Sequence, residues 1–133
     1  MDTDSPEALL DHLAGLVSCG VLIEDSSGTV VAVNRSLAQA FGVAFDAAAW
    51  RGRAAGDVFI HLSACFDDPA GFLQGTSYLH LRGMSVHDEP LRLSDGRLLR
   101  RGYDPIFDGN LRVGTGWTFT SDTRATSEDA DRV

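Results

Sequence analysis

The chemically capable side chains of this sequence are histidines, cysteines and a scatter of acids, and their spacing limits what they can do together. Metal ligation needs several donors converging on one point. His61, His80 and His87 have no partners at zinc-ligand spacing, and His61 with Asp57 reads as a surface pair one helical turn apart. Catalysis needs a nucleophile beside a base, or paired carboxylates in a dry cleft. Acids such as Asp25, Asp95 and Asp108 stand instead in turns, where carboxylates bond backbone amides. Tyr103 and Asp104 are strand neighbours and so point to opposite faces. No residue is assigned a catalytic or metal-binding role, and the chain is expected not to be an enzyme.

Binding is the chemistry that remains. Phe41, Phe59, Phe66, Phe72, Tyr103, Trp117 and Phe119, with Leu62 and Leu79, would line a mostly apolar pocket. Arg101 shares a strand face with Tyr103 and would supply orienting polar contacts. An acidic or aromatic metabolite suits such a pocket. For any one of these rings plain core packing serves as well, and a collapsed, empty cavity is the competing outcome for the set.

The elements that must position these side chains follow from the chain's composition and pattern. At 133 residues, 44% hydrophobic and 23% charged, it has room for one globular domain with its own core. A net charge of −8 argues against nucleic acid or an acidic membrane as partner. The start at Met1-Asp2-Thr3-Asp4 lacks a secretory pattern, and the run Leu16 to Ile23 is broken by Ser18 and Gly20, far short of a membrane span. Cys19 and Cys65 fit neither a disulfide framework nor a zinc site, so a soluble, cytoplasmic protein is expected, with Cys65 a small buried hydrophobe. All non-histidine cations are Arg, a bias of GC-rich, bacterial genomes. The cluster Arg92, Arg97, Arg100, Arg101 and Arg112 reads as a solvated sheet surface.

Residues 1–4 and the polar tail 121–133 look loose. Ser5-Pro6-Glu7 starts a helix over 5–19, whose apolar stripe includes Leu9, Leu13, Leu16 and Val17. That stripe would cover the domain or pair two copies as a homodimer. Val21-Leu22-Ile23 and Thr29 to Val33 flank Asp25-Ser26-Ser27-Gly28, a hairpin, and Asn34 caps a short helix ending at Phe41-Gly42. Short helical pieces follow at 47–50 and 57–62, and Asp67-Asp68-Pro69 opens another carrying Phe72, Leu73 and Leu79. The last third is a meander: Leu91 to Leu93, the Asp95-Gly96 turn, Arg97 to Ile106, a turn at Asp108-Gly109-Asn110, and Leu111 to Thr120. Val113, Thr115, Trp117 and Phe119 share one face of that last strand. The class is α+β.

In this order the residues resemble the PAS family. The resemblance runs from Gly20 through the Asp25-to-Gly28 turn, Asn34 and Phe41-Gly42, then resumes at Asp95-Gly96-Arg97, Arg101 to Ile106, Gly114 and Trp117-Thr118-Phe119. It implies a domain over 20–120 with a five-stranded antiparallel sheet covered on one face by short helices. It also implies a sensory module that binds a small ligand or protein partner and signals to an output domain or partner through its ends. Where relatives often carry Asp-x-Thr before their connector, this chain has Ser121-Asp122-Thr123.

No cofactor is expected. Light-sensing relatives carry a cysteine in a Gly-Arg-x-Cys setting, but Gly52-Arg53 is followed here by Ala54-Ala55, which argues against flavin adduct chemistry. Haem, which would need His61, His80 or His87 as axial ligand, is a minor alternative. Two other readings stay open: a ligand-free dimerisation or interaction module of the same fold, and a ketosteroid-isomerase-like enzyme. The second wants long helices before the sheet, whereas this chain has a hairpin by residue 33.

Overall fold

The computed structural model describes residues 19–44 and 46–121. Strand β1 (Cys19–Asp25) turns into β2 (Val30–Val33), and helix α1 (Arg35–Phe41) follows directly. A 3-10 turn at Ala47–Trp50 leads to α2 (Ala55–Ser63) and α3 (Pro69–Arg82). The meander β3 (Val86–Arg92), β4 (Leu98–Asp108) and β5 (Leu111–Ser121) completes the chain. All described strands join one five-stranded sheet in the order β2-β1-β5-β4-β3, and every pairing is antiparallel.

Turn and cap chemistry shapes the first hairpin. Asp25 Oδ1 accepts from the Ser27 amide at 2.9 Å and the Thr29 amide at 3.1 Å, and Gly28 takes φ +86°, which costs glycine nothing. Asn34 Oδ1 accepts from Leu37 N at 3.2 Å, capping α1, and from Val21 N at 2.8 Å. Its amide nitrogen donates to Cys19 O at 2.7 Å. One fully buried side chain thereby ties the start of α1 to β1. The contact is tight: a Cβ on Gly20 would stand 2.7 Å from Leu37 Cα.

One face of the sheet is buried. Leu22, Leu99, Tyr103, Trp117 and Phe119 pack there against Leu37, Phe41, Val58, Phe59, Leu62, Phe66, Phe72 and Leu79 from the helices. Aromatic rings dominate the contact. Phe66 stacks on Phe72 at 4.3 Å, and Phe41 meets Phe119 edge-on at 5.0 Å.

Several features depart from the pattern read in the sequence. β3 starts at Val86, well before Leu91, because it is an edge strand: Pro90 is tolerated there, and a bulge with Asp88 at φ 60° breaks the alternation. Val113 is 38% exposed instead of joining Thr115 inside, since the β4–β5 register slips between Ile106 and Phe107. Arg101 is buried, unlike a solvated arginine. Finally, the chain leaving the 3-10 turn runs along the free edge of β2: Val30 N donates to Arg53 O, Gly52 N to Val30 O and Ala55 N to Gly28 O, each at 2.8 Å. That pairing fixes the start of α2 beside the Gly28 turn. The expected stripe Leu9, Leu13, Leu16 and Val17 and the tail beyond Ser121 lie outside the described residues, while Cys19, expected to end the helix, opens β1.

Candidate ligand-binding cleft

A cleft of about 430 Å³ opens between α2, α3 and the buried face of the sheet. Ala55, Gly56 and Phe59 come from α2, and Thr76, Ser77, His80 and Leu81 from α3. Glu24, Trp117 and Gly28 contribute from β1, β5 and the first turn. Three local devices hold these walls in place. Asp68 Oδ1 accepts from Gly71 N at 3.0 Å and caps α3, with Pro69 opening the helix. Arg101 donates through Nε to Glu89 at 2.8 Å and through Nη1 to Thr76 Oγ1 at 3.1 Å, bracing α3 against β3 and β4. The edge pairing of residues 52–55 with β2 sets α2.

Glu24 is the unusual member of this lining. It stands two residues after Leu22 on β1, so strand alternation sends both inward, and it is only 5% exposed. Its Oε2 accepts the indole N–H of Trp117 at 2.8 Å. Oε1 accepts no hydrogen bond among the described residues, where every buried side-chain polar atom is partnered, so Oε1 reaches the open space of the cleft. A carbon placed on Gly28, another lining residue, would stand 3.9 Å from that oxygen. The cleft therefore presents a free carboxylate oxygen beside two aromatic walls, Trp117 and Phe59, whose rings meet edge-on at 5.0 Å.

A smaller recess of about 230 Å³ lies on the other side of His80, lined also by Asp25, Ser26, Arg112, Gly114 and Thr115. Arg112 Nη2 donates there to Tyr103 Oη at 2.6 Å and Thr115 Oγ1 at 2.7 Å. The Ser27 hydroxyl and the Thr29 amide hold the Asp25 carboxyl below its ordinary range.

Of the residues expected to form a pocket, Phe59 and Trp117 line the cleft. Phe41, Leu62, Phe66, Phe72, Leu79, Tyr103 and Phe119 belong to the packed core, with Phe66 and Phe72 stacked and Tyr103 edge-on to Trp117 at 4.8 Å. Arg101 aims its bonded donors at Glu89 and Thr76. Sequence reading missed Glu24; its shared parity with Leu22 on a β-rich run was the available signal. Among the histidines, His80 lines the cleft, His61 lies edge-on to Trp50 at 5.7 Å, and His87 pairs with Asp104 at 3.0 Å. No three metal-ligating side chains cluster among the described residues. The two cysteines are free and neither lines the cleft. Cys65 Sγ contacts Phe41 O at 3.8 Å, and burial pushes its thiol up from the ordinary value. No described helix is long and apolar enough to cross a membrane.

No family model matches this chain, and the curated proteins contain no match to it. Solved structures do match. The PAS domain of BvgS from Bordetella pertussis superimposes with a TM-score of 0.60 at 15% identity, over 93% of this chain and 95% of that one. A sensory box sensor histidine kinase structure from Vibrio cholerae matches with a TM-score of 0.57 at 13% identity, over 85% and 89%. A light-oxygen-voltage domain studied with a flavin analogue matches with a TM-score of 0.56 at 14% identity, over 99% and 98%. The chain has the α+β fold of PAS domains.

Proposed function

We propose that this protein is a sensory domain that binds a small organic ligand in the cleft between α2, α3 and the sheet and passes its bound state on through its terminal segments. The observation that carries this reading is the cleft itself, a largely apolar recess with a few convergent polar groups. The sensory box sensor histidine kinase among the structural neighbours supports the sensory part of this reading. The route out of the cleft is short. Trp117 and Glu24 lie on paired strands β5 and β1, and Cys19 faces Thr120 in that pairing. Three residues of strand, roughly 10 Å, separate Trp117 from Thr120. A ligand that prefers one setting of α3 against these strands would bias what the adjoining terminal segments do.

In this reading the protein works in the cytoplasm by binding rather than by turnover. It acts as a homodimer paired through the stripe of Leu9, Leu13, Leu16 and Val17 and relays to an output domain or partner protein. Its ligand is not a flavin that forms a cysteine adduct. Native mass spectrometry and an absorbance scan of protein purified from its own host test the ligand claim. A retained small molecule, lost when Gly56→Leu fills the cleft mouth, supports the reading. Protein that carries nothing, and gains no thermal stability from any metabolite, favours the ligand-free interaction module. Light scattering with and without residues 1–18 tests the dimer.

A further inference from the structure

We infer that the cleft selects a cationic ligand: an organic amine whose protonated nitrogen donates to Glu24 Oε1 while a flat apolar body lies against Trp117 and Phe59. The inference rests on the cleft being the ligand site. It deepens that reading by assigning the ligand's charge. A carboxylate oxygen on a side chain more than nine-tenths buried, with its sister oxygen already bonded by Trp117, asks for a donor. The lining contains no arginine, and His80, its one imidazole, makes no hydrogen bond or ion pair with Glu24. Arg101 is bonded to Glu89 and Thr76, and Arg112 is bonded to Tyr103 and Thr115 in the neighbouring recess. The Trp117 and Phe59 rings that line the cleft also suit an apolar cation better than an anion. An acidic metabolite would meet Glu24 as a like charge. That chemistry runs against the acidic ligand considered from the sequence.

Calorimetric titration with tryptamine, neutral 3-methylindole and indole-3-acetate compares three charges on one ring system. The expected order of affinity is tryptamine, then 3-methylindole, then indole-3-acetate. Glu24→Gln keeps an acceptor for the Trp117 indole, and its melting temperature reports that the fold persists. In that variant tryptamine should lose roughly tenfold to a hundredfold in affinity, the worth of a charge-assisted bond, while 3-methylindole is unchanged. Gly56→Leu adds a side chain where nothing lies within 4 Å of its Cβ, and should weaken all three probes. Indole-3-acetate binding as tightly as tryptamine, or tryptamine indifferent to Glu24→Gln, overturns the amine assignment but leaves the cleft as ligand site. Binding that Gly56→Leu does not disturb, or no binding of any probe, overturns both.

Discussion

Replacing Trp117 with Phe separates the packing role of this residue from its hydrogen bond. Trp117 is 1% exposed, its ring lies 4.8 Å from Tyr103 and 5.0 Å from Phe59, and its N–H bonds Glu24 at 2.8 Å. Phe retains one ring in the cluster and forfeits the other, a loss of about 1–2 kcal/mol of buried area and cavity. It also leaves Glu24 Oε2 without its donor, which costs about 1–3 kcal/mol more. W117F should therefore destabilise by about 3 kcal/mol in all, lowering Tm by roughly 4–8 °C per kcal/mol in a domain of this size. Glu24→Met should cost about 1–3 kcal/mol because it orphans the indole N–H instead. The double variant removes both polar partners, so urea denaturation followed by circular dichroism should find it more stable than the sum predicts, by about 1–3 kcal/mol. Strict additivity, within about 0.5 kcal/mol, would refute the claim that this bond joins β1 to β5 beneath the cleft.

Asn34→Ala removes the α1 cap and orphans Val21 N and Cys19 O, so a loss of about 2–4 kcal/mol is expected in the same denaturation assay. Gly20→Ala forces a methyl against Leu37 backbone, and hydrogen exchange of α1 amides should accelerate while those of β4 change less. Cys65, its thiol raised by burial, should be alkylated by iodoacetamide more slowly than a free thiol at pH 7.5, and urea should remove the difference. The Arg97 amide and guanidinium hold the Asp95 carboxyl below its ordinary value of 3.8. A depressed folded pKa stabilises above the unfolded value and is lost as pH falls through the folded one. Asp95→Asn should therefore lose stability relative to wild type at pH 7, and the gap should close below pH 3.8.

Local chemistry made much of this fold legible. Turns written by Asp25-Ser26-Ser27-Gly28 and Asp95-Gly96, the Asn34 cap and the Asp68-Pro69 start each depend on residues within a few positions of one another. What escaped depends on distant partners. The edge pairing of residues 52–55 with β2 uses backbone groups alone, so it leaves no side-chain pattern. β3 is polar, bulged and interrupted by Pro90 because only one of its edges is paired. For the cleft, aromatic content pointed at Phe59 and Trp117 but could not separate them from the rings that simply pack, since both uses bury the same residue types. Glu24 shares its inward parity with Leu22, but its partner Trp117 is 93 residues away and leaves no local mark beside it. Arg101 had its inward direction set by strand parity, but its partners Glu89 and Thr76 are 12 and 25 residues away.

A 15N-resolved NMR titration with tryptamine places ligand contact most directly, because the indole N–H of Trp117 is its own reporter. Trp50, identified by a Trp50→Phe variant, serves as the internal reference. The account predicts that the Trp117 indole resonance and the amides of Glu24, Phe59 and Thr76 move together and saturate, with smaller changes at Trp50. Saturable shifts confined to other surfaces, with these four residues unmoved, would contradict it.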